Sequence, residues 1–285
     1  MQVDDAETKI VISTDNKRIA FDKTTGYLNS LVADELQVLH EPLKHNFWRP
    51  QTDNDRLGWK TLENKKVWFD ATQHLALSSF EYSQTDTGVT VKTRHTNGSS
   101  IKVATQYHID ATANVTVNVT LDADADLPSL LRVGMSTAVS GELERMAYYG
   151  KGPHENYIDR NQSAETDVYQ GLVSDFIHSY ARPQENGNRT GVKWLTLSDY
   201  AQHSFSVKGL QDLSMSVWPW SAENLQEANH PYELVERGIY TVNIDLAQAG
   251  VGGIDSWSDK AAPIEKYQLP SGQYQYQFTL TVGQQ

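Results

Sequence analysis

An all-β fold, a large antiparallel sandwich, is predicted by three observations. Apolar residues recur with period two, turn residues interrupt those runs, and helical periodicity is scarce. In residues 113–121, Val115, Val117, Val119 and Leu121 take one face and Asn114, Thr116, Asn118 and Thr120 the other. Residues 273–282 repeat the pattern with Tyr274, Tyr276, Phe278, Leu280 and Val282. Similar alternation marks residues 9–13, 89–93, 101–109, 203–207, 213–217 and 239–246. Thr25-Gly26, Asp86-Thr87-Gly88, Asn97-Gly98 and Ser271-Gly272 read as turns, and Asn97-Gly98 between two such runs predicts a hairpin. Helix is expected at 221–229, opened by Ser221 as N-cap and closed before His230-Pro231, with a further turn or two in 56–69. No linker, low-complexity tract or fixed-period repeat divides the chain, so residues 1–285 are expected to form one β-sandwich domain.

Composition narrows the function. Lys and Arg number 24 against 36 Asp and Glu, a formal charge of −12 that repels a phosphate backbone and argues against a nucleic-acid partner. The absence of cysteine removes disulfides, zinc–thiolate sites and a Cys nucleophile, and leaves the compartment open between cytoplasm and periplasm or exterior. No run approaches the ~18 apolar residues of a membrane span, so a soluble chain is expected. The acidic start, Met1-Gln2-Val3-Asp4-Asp5, does not read as a secretion signal. Seven Trp and 14 Tyr are compatible with stacking on sugar rings and equally with filling sandwich cores. G-x-S-x-G, Walker and H-E-x-x-H motifs are absent, and no metal site is expected among the nine scattered histidines.

Long polar segments at 47–59, 148–160, 179–190, 218–234 and 250–257 carry the candidate chemistry. Glu155 and Glu185 are the tempting carboxylate pair for glycoside hydrolysis. Each lies beside an amide, Asn156 or Asn186, and each has a bracing alternative, an ion pair with Arg160, Arg182 or Arg189. Residues 250–257, G-V-G-G-I-D-S-W, form a glycine-rich loop in which Asp255 and Ser256 can fix a turn and Trp257 can be held out as a platform or plug the sandwich end. In 46–55, Arg49 can lock an irregular loop through Asp53 or Asp55.

Taken together, five of these segments resemble the C-terminal domain of family-2 glycoside hydrolases of the β-galactosidase type, which also occurs as the small chain of two-chain enzymes. They are N-F-W-R-P-Q-T-D-N-D (46–55), Y-G-K-G-P-H-E-N-Y-I-D-R (149–160), Y-A-R-P-Q-E-N-G-N-R-T (180–190), P-W-S-A-E-N-L-Q-E-A-N-H-P (219–231) and G-V-G-G-I-D-S-W (250–257). The resemblance runs from about residue 10 to residue 282. It implies an antiparallel supersandwich of the galactose-mutarotase type, with the catalytic glutamates in a (β/α)8 barrel that this chain is too short to contain. It implies that Trp257 reaches the galactose site and that Asp255, Arg49, Asp53 and Asn54 belong to the substrate-binding loops. No residue of this chain is then catalytic. His154, Glu155, Asn156, Arg160, Glu185, Asn186 and Arg189 become loop-bracing or secondary candidates. Two departures stand out: Pro50-Gln51 replaces the usual Ala-Pro, and Ile254 replaces a common Asp.

The expected function is therefore completion of a β-galactosidase site, with a β-galactoside and a catalytic barrel domain or large subunit as partners. Family enzymes use Mg²⁺ and Na⁺, expected in the rest of the enzyme and not here. The alternative is an independent carbohydrate-binding or mutarotase-like epimerase domain, with His154 or His178 and Glu155 or Glu185 as acid and base.

Overall fold

The alternating runs all become strands, within a sheet larger than those runs alone would build. The computed structural model describes residues 1–284. It contains β1 (Gln2–Asp5), β2 (Lys9–Ser13), β3 (Lys17–Asp22), β4 (Leu28–Ala33), β5 (Leu36–Gln37) and β6 (Leu39–Asn46). Helices α1 (Asp53–Leu57), α2 (Thr61–Asn64) and α3 (Lys66–His74) follow. Next come β7 (Ala76–Thr85), β8 (Gly88–Thr96), β9 (Ile101–Asp110), β10 (Val115–Ala123), β11 (Arg132–Ser140), β12 (Arg145–Gly152) and β13 (Glu165–Leu172). The chain then forms β14 (Arg189–Ser198), β15 (His203–Trp218), α4 (Ala222–Glu227), β16 (Ile239–Gln248) and β17 (Gln273–Gln284).

All pairings are antiparallel. One layer runs β7–β8–β9–β10–β17–β15–β14–β12–β13. The other runs β1–β2–β3–β4–β6–β11–β16–β15. Strand β15 joins them: its residues 203–209 pair with β17 and its residues 214–218 with β16. The two expected strands at 203–207 and 213–217 are thus one long strand that changes partners midway. The layers meet through their apolar faces. The Phe21 ring lies edge-on to Tyr107 at 4.9 Å, and Tyr27 stacks on His95 at 4.5 Å.

The structure corrects three other expectations. Residues 148–152, read as loop, are the end of β12. Residues 56–69 hold parts of three helices, which together reach from Asp53 to His74. Strand β11 escaped detection because all but one of its nine residues are buried, which erases the alternation that marks a half-wet strand. The Asn97-Gly98 hairpin joins β8 to β9 as expected, and Ser221 caps α4 by accepting a hydrogen bond from the Asn224 N–H. Among the described residues no helix is long and apolar enough to cross a membrane.

Phe21 is fully buried between the layers. Phe21→Ala should destabilise the chain by about 3–5 kcal/mol, whereas Thr116→Ala, on the outer face, should stay within about 0.5 kcal/mol. Urea unfolding of both variants checks the assignment of inner and outer faces.

Candidate functional site

On β16, Val242 and Ile244 fill the core between the layers, so Thr241, Asn243 and Asp245 take the outer face. Ser214, Ser216 and Trp218 of β15 pair with them and share that face. Such a polar row ordinarily faces water, yet every one of these residues is buried. The long polar segments lie over this face as a roof.

Arg132 sits at the centre. A bulge in the β11–β16 register between Val133 and Gly134 places Arg132 opposite Gln248 and Gly134 opposite Asp245. The extra residue on β16 brings Gln248 and Asp245, three positions apart, to one side. The Arg132 guanidinium donates to Asn243 Oδ1 at 3.0 Å and to Glu185 Oε2 at 3.1 Å, and its Nε lies 3.1 Å from Asp245 Oδ2. Arg132, Glu185 and Asp245 have no solvent exposure at their side chains. Glu185 therefore pairs with a strand arginine that the sequence reading missed, not with Arg182 or Arg189. It also accepts from Gln248 Nε2 at 3.3 Å.

The charges do not balance. Arg49 and Asp55 form a bidentate pair with both bonds at 2.9 Å, which leaves one arginine, Arg132, against the carboxyls of Glu185 and Asp245. The Asp245 contact is close but misaligned, so neither of its oxygens has a hydrogen-bond partner. Burial, reinforced by Glu185 and opposed by Arg132, pushes Asp245 up to about 8. Burial raises Glu185 as well, against the pull of Arg132 and Arg49.

Arg49 braces the roof. Its five N–H donors meet Asp55 twice, Gln248 Oε1 and the carbonyls of Ala249 and Gly250. The guanidinium is fully engaged within the chain, and its partner is Asp55, not Asp53. Thr52 and Asp55 close a capping box at the start of α1. Asp53 remains half-exposed, hydrogen-bonded to Gln184 Nε2 at 3.3 Å. Asn54 Nδ2 donates to the carbonyls of Asp255 and Ala261, tying α1 to the glycine-rich loop. At the departure from the family pattern, the Pro50 carbonyl accepts from the Glu185 N–H at 3.2 Å and Gln51 pairs with Gln226.

The other expected braces fall in the same roof. Glu155 pairs with Arg160 as expected, and also accepts from the Tyr180 hydroxyl and, at 2.7 Å, from the Gly187 N–H. Burial works to raise Glu155, but these bonds outweigh it and hold the carboxyl below its usual value. Gly187 has φ +71, a conformation open to glycine at little cost. Asn156 takes the Thr190 N–H and hydroxyl and donates to two carbonyls, and Asn186 accepts from the His178 N–H. Arg189 donates to the carbonyls of Pro153, Phe176 and Gly187 and to Tyr148 Oη, so it braces backbone and pairs with no carboxylate. His154 is exposed and bonds Ser163 Oγ, while the His178 ring packs on Tyr180, so neither histidine joins a glutamate.

The glycine-rich loop is pinned at several points. Asp159 Oδ2 accepts from the N–H groups of Val251 and Gly252. Asp255 accepts from the N–H of Trp257 and Ser258 and from Ser258 Oγ; the hydroxyl in the turn is Ser258 and not Ser256. Gly253 is required by close approach and not by unusual φ, because a Cβ there would stand 2.4 Å from the Ala261 carbonyl. From this held loop Trp257 projects with 78% exposure, and Ile254 of the same loop is 79% exposed. Arg132, Asp245, Asn243, Gln248 and Asn188 were not singled out from sequence. A charged residue inside the apolar run Leu130-Leu131-Arg132-Val133 was the one available signal.

Residues 13–280 match the family described as beta galactosidase small chain. A beta-galactosidase from Priestia megaterium is 30% identical over 265 residues, which are 92% of this chain and 25% of that protein. One from Vibrio cholerae is 32% identical over 96% of this chain and 27% of its own length. The chain thus spans about a quarter of the curated relatives it matches. Among solved structures, a galactose 1-epimerase from Lactobacillus acidophilus aligns over 96% of this chain and 94% of its own, with a TM-score of 0.56 at 9% identity. An α-N-acetylgalactosaminidase from Bifidobacterium bifidum aligns over 95% of this chain and 35% of its own, with a TM-score of 0.50 at 13% identity. These two likenesses support the mutarotase-like supersandwich fold.

Arg132→Met should destabilise the chain by about 3–5 kcal/mol, because it strands two buried carboxyls. Asp245 has the opposite pH signature from a salt-bridged acid. Its pKa is raised on folding, so the native state binds more protons between the unfolded value of 3.8 and the folded value of about 8. The Asp245 contribution to stability should therefore fall as pH rises across that window and level off above it, while the buried His45 and His95, lowered from 6.5, contribute with the opposite sign up to that value. Asp245→Asn should remove that contribution, so the stability difference between the two proteins should change with pH up to about 8 and level off above it. Denaturant melts at stepped pH read both effects.

Proposed function

Because this chain belongs to the β-galactosidase small-chain family, we propose that it completes the galactoside site of a larger enzyme and does not itself break the glycosidic bond. One observation carries the reading: a large aromatic side chain stands in solvent on a loop held by Asn54, Asp159 and Asp255. Trp257 is the stacking platform for the apolar face of the sugar. Asp53, half-exposed at the start of α1, is the further polar candidate, since its neighbour Asn54 ties that helix to the Trp257 loop. Arg49, Asn54 and Asp255 act by holding the loop that presents the ring.

The two glutamates have other duties. Glu155 is bound by Arg160, Tyr180 and a backbone N–H, and Glu185 by Arg132 and Gln248, so neither offers a carboxylate to a substrate. The acid and nucleophile are supplied by the remainder of the enzyme, in keeping with a chain about a quarter the length of its relatives. Mg²⁺ and Na⁺, where the enzyme uses them, are bound outside this chain.

The purified chain should give no hydrolysis of a chromogenic β-galactoside above a buffer blank. Clear turnover would overturn the proposal and return Glu155 and Glu185 to candidacy. In the assembled enzyme, Trp257→Ala should lower kcat/KM roughly fivefold or more, the equivalent of about 1 kcal/mol of lost stacking. Unchanged kinetics would remove Trp257 from the site.

A further inference from the structure

Helix α1 ends at Gly58, its C-cap, which is buried against the far end of the Trp257 loop. A Cβ placed on Gly58 would stand 2.2 Å from the Ser258 carbonyl oxygen and 2.2 Å from the Ala261 Cβ. Ser258 directly follows Trp257 and caps the 3-10 turn Asp259–Ala261. Gly58 has φ −102 and ψ −53, a right-handed conformation open to any residue. Glycine is therefore needed here for room and not for backbone freedom.

A side chain at 58 would displace the loop and not the helix, because the two are held differently. Asp55 of α1 is buried and clamped by Arg49, whose guanidinium also reaches Gln248 at the end of β16. The loop, by contrast, rests on α1 and on itself. Asn54 holds the carbonyls of Asp255 and Ala261, and the Ile254 N–H donates to the Lys260 carbonyl. Ala261 is fully buried, with Gly58 on one side and Gly253 on the other. Asp159 pins the loop at Val251 and Gly252, which confines any shift to the part that carries Trp257. A backbone oxygen and a methyl group cannot rotate away from an added Cβ, so the exposed loop must move.

We propose that Gly58 is a positioning residue for the galactoside site: its missing side chain lets the Trp257 loop seat flush on α1 and so sets where the indole stands. The inference rests on Trp257 being the sugar platform. Moving the Ser258 oxygen from 2.2 Å to an ordinary contact distance of about 3.5 Å takes roughly 1 Å. A gap of about 0.5–1 Å forfeits a quarter to a half of a stacking contact.

The first readout uses the 285-residue chain and its ¹⁵N-resolved indole N–H resonances, with Trp257→Phe identifying the Trp257 signal. Gly58→Ala should move that signal and leave those of the buried Trp68 and Trp218 in place, a pattern that a general loss of stability does not produce. In the assembled enzyme Gly58→Ala should lower kcat/KM about twofold or more, and in a Trp257→Ala background it should cost nothing further. Should Gly58→Ala fail to fold, Ala261→Gly, which removes the methyl group facing Gly58, should move the same signal. An unmoved Trp257 signal in the variant that folds overturns the positioning role, and so does a loss that adds in full to that of Trp257→Ala. When the signal moves but Trp257→Ala leaves the kinetics unchanged, it is the stacking reading that has failed, and the seat at Gly58 is a structural contact alone.

Discussion

Arg132 is the point on which the roof turns. It rises from a strand buried on both faces, and its guanidinium reaches three groups that come from different parts of the chain: Asn243 and Asp245 on β16, and Glu185 in the segment before β14. A buried cation of this kind contributes little net stability, because its desolvation offsets most of the attraction. Its effect is to fix which loop lies where. Glu185 has no comparable position elsewhere on this face, since a carboxyl buried there without Arg132 and Gln248 would be strongly disfavoured.

From that point the bracing spreads in short steps. Glu185 holds Pro50 through its backbone N–H, and the preceding residue, Arg49, grips Asp55 and the carbonyls that open the glycine-rich loop. Asp55 lies in α1, where Asn54 reaches the Asp255 carbonyl of the same loop and the Ala261 carbonyl just beyond it. From the other side, Asp159 ties that loop to the Glu155–Arg160 segment. The loop that carries Trp257 is thereby anchored to a polar network built on two β-strands. Positioning an exposed ring in this way lowers the ordering cost of any contact it makes.

The arrangement also separates two uses of polar residues. Arg49, Asn156, Glu185 and Arg189 are buried and matched, so they rigidify the roof. Trp48 is buried and Arg237 half-buried, and each keeps one unmatched donor. A roofed sheet face leaves room for both, since wherever loops fail to close over the strands, polar side chains remain without partners.

Much of this protein was legible in its sequence. Period-two alternation marked the half-buried strands, Asn97-Gly98 marked its hairpin, Ser221 marked its helix, and Glu155 found Arg160 within five residues. The β-galactosidase resemblance likewise rested on contiguous motifs. Each of these signals is local, carried by neighbouring residues whose geometry the backbone dictates. What only the tertiary structure decided is long-range. Alternation shows that Asn243 and Asp245 share a face, but not whether that face meets water or a roof. The partner of Glu185 lies 53 residues away, and a bulge, not the regular pleat, brings Gln248 to the same side as Asp245. Such contacts leave no pattern in neighbouring residues, because they exist only once distant segments have packed together.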